Sequence, residues 1–169
     1  MAWFCAQRAL EISQDTGSAV RAESLATAAL CMGLQNEIQQ FETYMTQARE
    51  LAGKQLDVLK TIEQLSGIIY AGLAKWDQAT SAFEKAIDAA KTVGDLKSLE
   101  ESTLFAGTVH FLKGDIQRSV KLNQGALESA TKRGDAQVQV YSSILQARNY
   151  YVLGENFESN CSSGIAHPS

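Results

Sequence analysis

Few side chains in this chain have the type and spacing that chemistry needs. There are two histidines, His110 and His167, and three cysteines, Cys5, Cys31 and Cys161. No Glu-x-x-His pair occurs, which a di-iron helix bundle would require, and no two cysteines have zinc-site spacing. His110 stands where a neighbouring segment has Tyr70, so the expectation is a packed or half-buried ring and not a ligand. Cys5 has no histidine near it in sequence, which leaves a nucleophilic role resting on a partner brought close in space. Glu100 and Glu101 are adjacent, but helical neighbours one apart point in different directions and cannot share a site. Both fall in the first turns of a helix, where negative charge complements the helix dipole, and that structural role is expected of Glu100. Gly53-Lys54 is followed by Gln55 and lacks the upstream glycine of a P-loop, so it reads as a helix cap. No catalytic residue, metal ligand or cofactor site is assigned, and an enzyme is not expected.

The bulk properties narrow the class further. A length of 169 residues suits one domain. The only proline is Pro168, beside the C-terminus, so helices can run unbroken along the chain. No stretch alternates apolar and polar residues, which argues against strands. The expected class is all-α. The net charge is -4, from 15 basic and 19 acidic residues, and provides no basic face for nucleic acid or an anionic membrane. No run approaches the ~18 apolar residues of a spanning helix. The N-terminal sequence lacks the charged and apolar regions of a secretory signal. The odd, widely spaced cysteines then read as reduced thiols in the cytoplasm, with Cys31 buried. Asn160-Cys161-Ser162 matches a glycosylation sequon that such a compartment leaves unused.

The elements that would position any site are helices in pairs. Gly-Asp turns at Gly94-Asp95 and Gly134-Asp135 lie forty residues apart, with Gly53 and Gly17 at similar intervals before them. Each glycine follows an amphipathic run and suits a left-handed helix cap. The first helix is expected from Ala2 to Asp15. Pairs follow at 19–33 with 36–52, 55–73 with 77–92, and 96–112 with 116–132. A fifth pair begins at 136–153 and turns towards a helix near Phe157. The clearest unit runs from Gly67 to Asp95. Gly67 and Ala79 allow close helix approach, Tyr70 and Phe83 fill the space beside them, and Ala86 admits the next helix.

That spacing of Gly67, Tyr70, Ala79, Phe83 and Ala86 is similar to the tetratricopeptide repeat (TPR) signature. The next unit keeps Gly107 and Ala126 but has His110, Ser119 and Asn123, and the fifth keeps Ala147 and Tyr150. The early Trp and closing Pro of the family are missing, and the period is about forty residues, not thirty-four. The resemblance covers residues 1–157 as about four hairpins, incomplete at both ends, with a frayed tail at 158–169. It implies a right-handed superhelix, an α-solenoid of antiparallel hairpins, whose first helices line a concave surface. Carried onto this sequence, the groove positions are Glu23, Thr27, Gln64, Ile68, Glu101, Leu104, Thr108, Phe111, Tyr141, Arg148 and Tyr151. The implied function is recognition of a protein or peptide partner there, without nucleic acid, membrane or cofactor. Phe111, Tyr141 and Tyr151 would serve equally as contacts to a further helix of the fifth hairpin. Because Arg148 is the only base among these positions, a clamp for acidic C-termini is not implied. The phrase from Thr108 to Ala130, with 145–156 after it, also resembles the helical C-terminal regions of large AAA-type signalling ATPases and class III nucleotide cyclases. On that alternative the chain is a regulatory arm beside other domains of one polypeptide. A small helical enzyme is the third reading.

Overall fold

A glycine followed by an aspartate sets the last three boundaries between described helices. Gly94 takes φ 75°, a left-handed conformation that costs glycine little, and its N–H bonds the carbonyls of Ala90 and Lys91. Asp95 follows at once and accepts the Ser98 N–H at 3.1 Å, capping the next helix. The same capping recurs at Asp115, which accepts from Arg118, and at Asp135, which accepts from Val138. The chain therefore reverses direction within a few residues each time.

The computed structural model describes residues 2–154. Those residues form eight helices and no strand: α1 (Ala2–Ile12), α2 (Ser18–Leu34), α3 (Ile38–Ala52), α4 (Leu56–Gly72), α5 (Trp76–Val93), α6 (Leu96–Leu112), α7 (Ile116–Arg133) and α8 (Ala136–Leu153). The all-α class holds. The first helix stops at Ile12 and gives way to a 3-10 turn at Ser13–Asp15, so it is shorter than the pattern suggests. Gly17 is not a left-handed cap either. It sits at φ -59° as the residue before α2. The helix expected near Phe157 and the tail at 158–169 lie outside the described residues.

Each helix packs on the one before it and the one after it. In addition α2 touches α4, α4 touches α6, and α6 touches α8, whereas α3, α5 and α7 do not touch one another. The even-numbered helices thus form an inner row. No described helix contacts another more than two places away.

The packing explains the residue types. Gly67 lies against Phe83, and a Cβ there would come within 2.7 Å of the ring. Phe83 is held from its other side by Phe105, stacked at 5.5 Å between centroids. Phe41 meets Tyr70 edge to face, also at 5.5 Å. Ala79 and Ala86 are fully buried. In the following pair Gly107 lies against Asn123, where a Cβ would strike the side-chain amide. Here the interior turns polar. Ser119, Asn123, Ser142 and Asn149 are all fully buried, and the Asn149 amide donates to Ser119 Oγ at 3.0 Å. Cys31 is half-buried, less enclosed than expected.

Ion pairs fasten successive helices. Arg49 on α3 meets Glu63 on α4 through Nε to Oε1 at 2.7 Å and Nη2 to Oε2 at 3.2 Å, and reaches Ser66 Oγ at 2.8 Å. Lys60 on α4 binds Asp95 at 2.9 Å, at the start of α6. Glu100 is 1% exposed and accepts from Ser129 and Arg133 of α7. Its place is therefore a buried ion pair and not the helix dipole.

Candidate partner-binding cleft

A cleft of about 590 Å³ opens across the inner row. Three helices supply its walls at helical spacing. Gln64 and Ile68 come from α4, four residues apart; Glu101, Leu104, Phe105 and Thr108 from α6; Gln137, Val138, Tyr141 and Leu145 from α8. These steps of three and four keep each set on one helix face. Sequence reasoning missed Phe105, Gln137, Val138 and Leu145. Gln137, Tyr141 and Leu145 do fall at i, i+4 and i+8, so that spacing could have found two of them.

The lining is mostly apolar, and Glu101 is the only charged residue among the described residues that form it. Glu101 stands 3.9 Å from Lys97, one turn back on the exposed side of α6. Tyr141 is 57% exposed and Phe105 is 40% exposed, so their rings present apolar surface to whatever enters.

Of the other anticipated positions, Phe111 and Arg148 pair with each other. The Arg148 guanidinium lies 3.8 Å from the Phe111 ring centroid, joining the C-terminal ends of α8 and α6. Neither is part of the cleft lining, although both lie beyond it on the same sides of their helices: Phe111 is seven residues past Leu104, and Arg148 seven past Tyr141. Arg148 Nε and Nη2 are buried without a hydrogen-bond partner among the described residues. Burial shifts its pKa downward, with no compensating charge among the described residues.

Tyr151 is not brought to the cleft. It is 86% exposed and shares an outer stripe of α8 with Val140, Ile144 and Ala147. Glu23 and Thr27 lie exposed on α2, away from the lining.

Elsewhere the chemistry-bearing residues are dispersed. Among the described residues no three of His, Cys, Asp and Glu gather as a metal site would require. No described helix is long and apolar enough to cross a membrane. His110 is half-buried on α6 with Nδ1 3.5 Å from Asp115 Oδ2. Burial lowers its pKa below 6.5, helped by the charges of Arg118 and Lys113 and opposed by Asp115. The folded protein therefore takes up this proton less readily than the unfolded chain. Stability contributed by the neutral ring is complete above the unfolded value of 6.5 and declines as pH falls below it. His110→Phe is expected to flatten the loss of thermal stability between about pH 7 and 5.5, measured as melting temperature against pH. An unchanged slope would show that this ring does not carry the effect.

No protein-family model matches the chain, and no curated protein matches its sequence.

Proposed function

We propose that this chain is a TPR-like interaction domain that holds an apolar partner segment in the α4–α6–α8 cleft. The carrying observation is that the cleft is apolar and open, with walls on three helices that touch in order. Two features support a repeat architecture. Gly67 meets Phe83 and Gly107 meets Asn123, forty residues on in both helices. The inner helices touch while α3, α5 and α7 do not, as expected where hairpins stack into a right-handed superhelix with its first helices on the concave side. Free Cys31 fits a cytoplasmic setting.

The reading predicts that Tyr141→Glu weakens capture at least tenfold, because a carboxylate would be desolvated against the incoming apolar segment. The probe is a peptide selected from a displayed random library on the full chain, with affinity measured by fluorescence polarisation. Since Tyr141 is largely exposed, helical circular dichroism should not change. Equal affinity for the variant and the parent would remove the cleft as the binding surface.

A second reading has one observation in its favour. Val140, Ile144, Ala147 and Tyr151 make an apolar stripe on α8 that is open among the described residues. Ala147 occupies the place that Gly67 and Gly107 occupy in α4 and α6, where each takes a side chain from the next helix. The stripe suits packing against another part of the same polypeptide, as in a regulatory arm of a larger signalling protein.

A further inference from the structure

Opposite charges stand in the cleft and beyond its end: Glu101 belongs to the lining, whereas Arg148 lies outside it. Glu101 stands at the N-terminal end of the α6 wall, in a lining with no other charge among the described residues. Arg148 crosses from α8 to lie over Phe111 at the C-terminal end of α6. Glu101 and Phe111 are ten residues apart on α6, which at ~1.5 Å per residue sets their backbone positions about 15 Å apart along the helix axis. Neither is well compensated. Glu101 has only Lys97 at 3.9 Å, a solvent-exposed pair of little worth. Arg148 has no ion-pair partner among the described residues, and two of its nitrogens are buried without a hydrogen bond. A half-buried guanidinium with no counter-ion among the described residues is the kind of group that a carboxylate from outside complements.

We propose that the cleft selects its partner by this polarity: an apolar segment with an acidic side chain for Arg148 and a basic side chain for Glu101. The proposal rests on the cleft being the binding surface and adds the class of partner and its direction. Tyr141, Leu104 and Ile68 take the apolar middle. The two charges fix which way the segment runs, since reversal would set carboxylate against Glu101 and cation against Arg148.

The test uses the full chain and a displayed library of random 15-residue peptides. Peptides that bind Tyr141→Glu equally well are discarded, so that those kept are cleft ligands. The expected pool is apolar in its middle, with Asp or Glu towards one end and Lys or Arg towards the other. A synthetic representative should lose at least tenfold in affinity for Arg148→Gln and for Glu101→Gln. Arg148→Glu should bind a version whose acidic residue is changed to lysine better than it binds the original. Thermal unfolding by circular dichroism checks that each variant is folded. Cleft ligands with no charge bias, or affinities untouched by Arg148→Glu, would overturn the polarity and leave the cleft standing. Failure to recover any peptide sensitive to Tyr141→Glu would overturn the cleft reading and the polarity with it. If the chain forms a dimer that Arg148→Glu dissociates, a second copy is the occupant and the proposal fails.

Discussion

Replacing Phe83 with alanine is expected to destabilise the fold by about 3–5 kcal/mol, read from urea unfolding. Phe83 is 1% exposed and lies between Gly67 of α4 and the Phe105 ring of α6. Its removal opens a void at the point where three helices meet, and backbone on the α4 side can collapse only slightly. The partner of this effect is Gly67. A methyl group there would come within 2.7 Å of the ring, so Gly67→Ala alone should cost about 1–3 kcal/mol by overpacking. In the Phe83→Ala background the same methyl enters empty space, and alanine's helix propensity should then make it stabilising by about 1 kcal/mol. That reversal of sign is the signature of a direct contact. Additive effects would show that Phe83 and Gly67 act separately.

The second large effect is expected from Arg49→Met. Glu63 is 7% exposed, and Arg49 is the cation that meets both of its oxygens. Burial works against the charge on Arg49, but the Glu63 carboxylate, with smaller help from Tyr70 and Glu42, offsets this, so its pKa is raised. Losing the guanidinium leaves a buried carboxylate without a counter-ion, a change that typically costs about 3–5 kcal/mol. The Arg49 side chain keeps 31% of its exposure, so water relieves part of that cost and about 2–3 kcal/mol is expected. Changing both partners, Arg49→Met with Glu63→Met, should be milder than Arg49→Met alone. A double variant as unstable as the sum of the two single changes would contradict this account of the pair.

How much of this was legible in the sequence depended on how local the cause was. The hairpin at Gly67 could be read because small and aromatic residues stand at fixed spacing across one short turn, although the expected approach was Gly67 to Ala79 with Phe83 beside it, and the structure sets the Phe83 ring on Gly67 itself. The left-handed glycines at 94 and 134 were legible for the same reason, yet Gly17 was misread, because a glycine before a helix and one after it look alike without the neighbouring dihedral angles. The aspartate caps went unread although each follows a glycine directly. Glu100 was placed on the helix dipole because its actual partner, Arg133, arrives 33 residues later from another helix.

The cleft was legible in part. Gln64, Ile68, Glu101, Leu104, Thr108 and Tyr141, anticipated from the groove positions that the TPR resemblance implies, fall on its lining. The pairing of Arg148 with Phe111 needs the approach of α6 to α8, which no spacing within one helix encodes. Tyr151 was expected in the groove with Tyr141 and Arg148 from the resemblance alone. At 100° per residue the two steps of seven and three carry it about 80° round the helix, off the cleft and onto the outer stripe.

The central claim is that a partner lies along the α4–α6–α8 face. The most direct measurement is photo-cross-linking of the selected peptide from single reporter residues placed in the full chain. One reporter replaces Gln137, exposed on the cleft wall, and another replaces Lys121, exposed on α7. The account predicts a strong adduct from position 137, abolished by Tyr141→Glu, and none from position 121. Adducts that form from position 121 and not from 137 would contradict it.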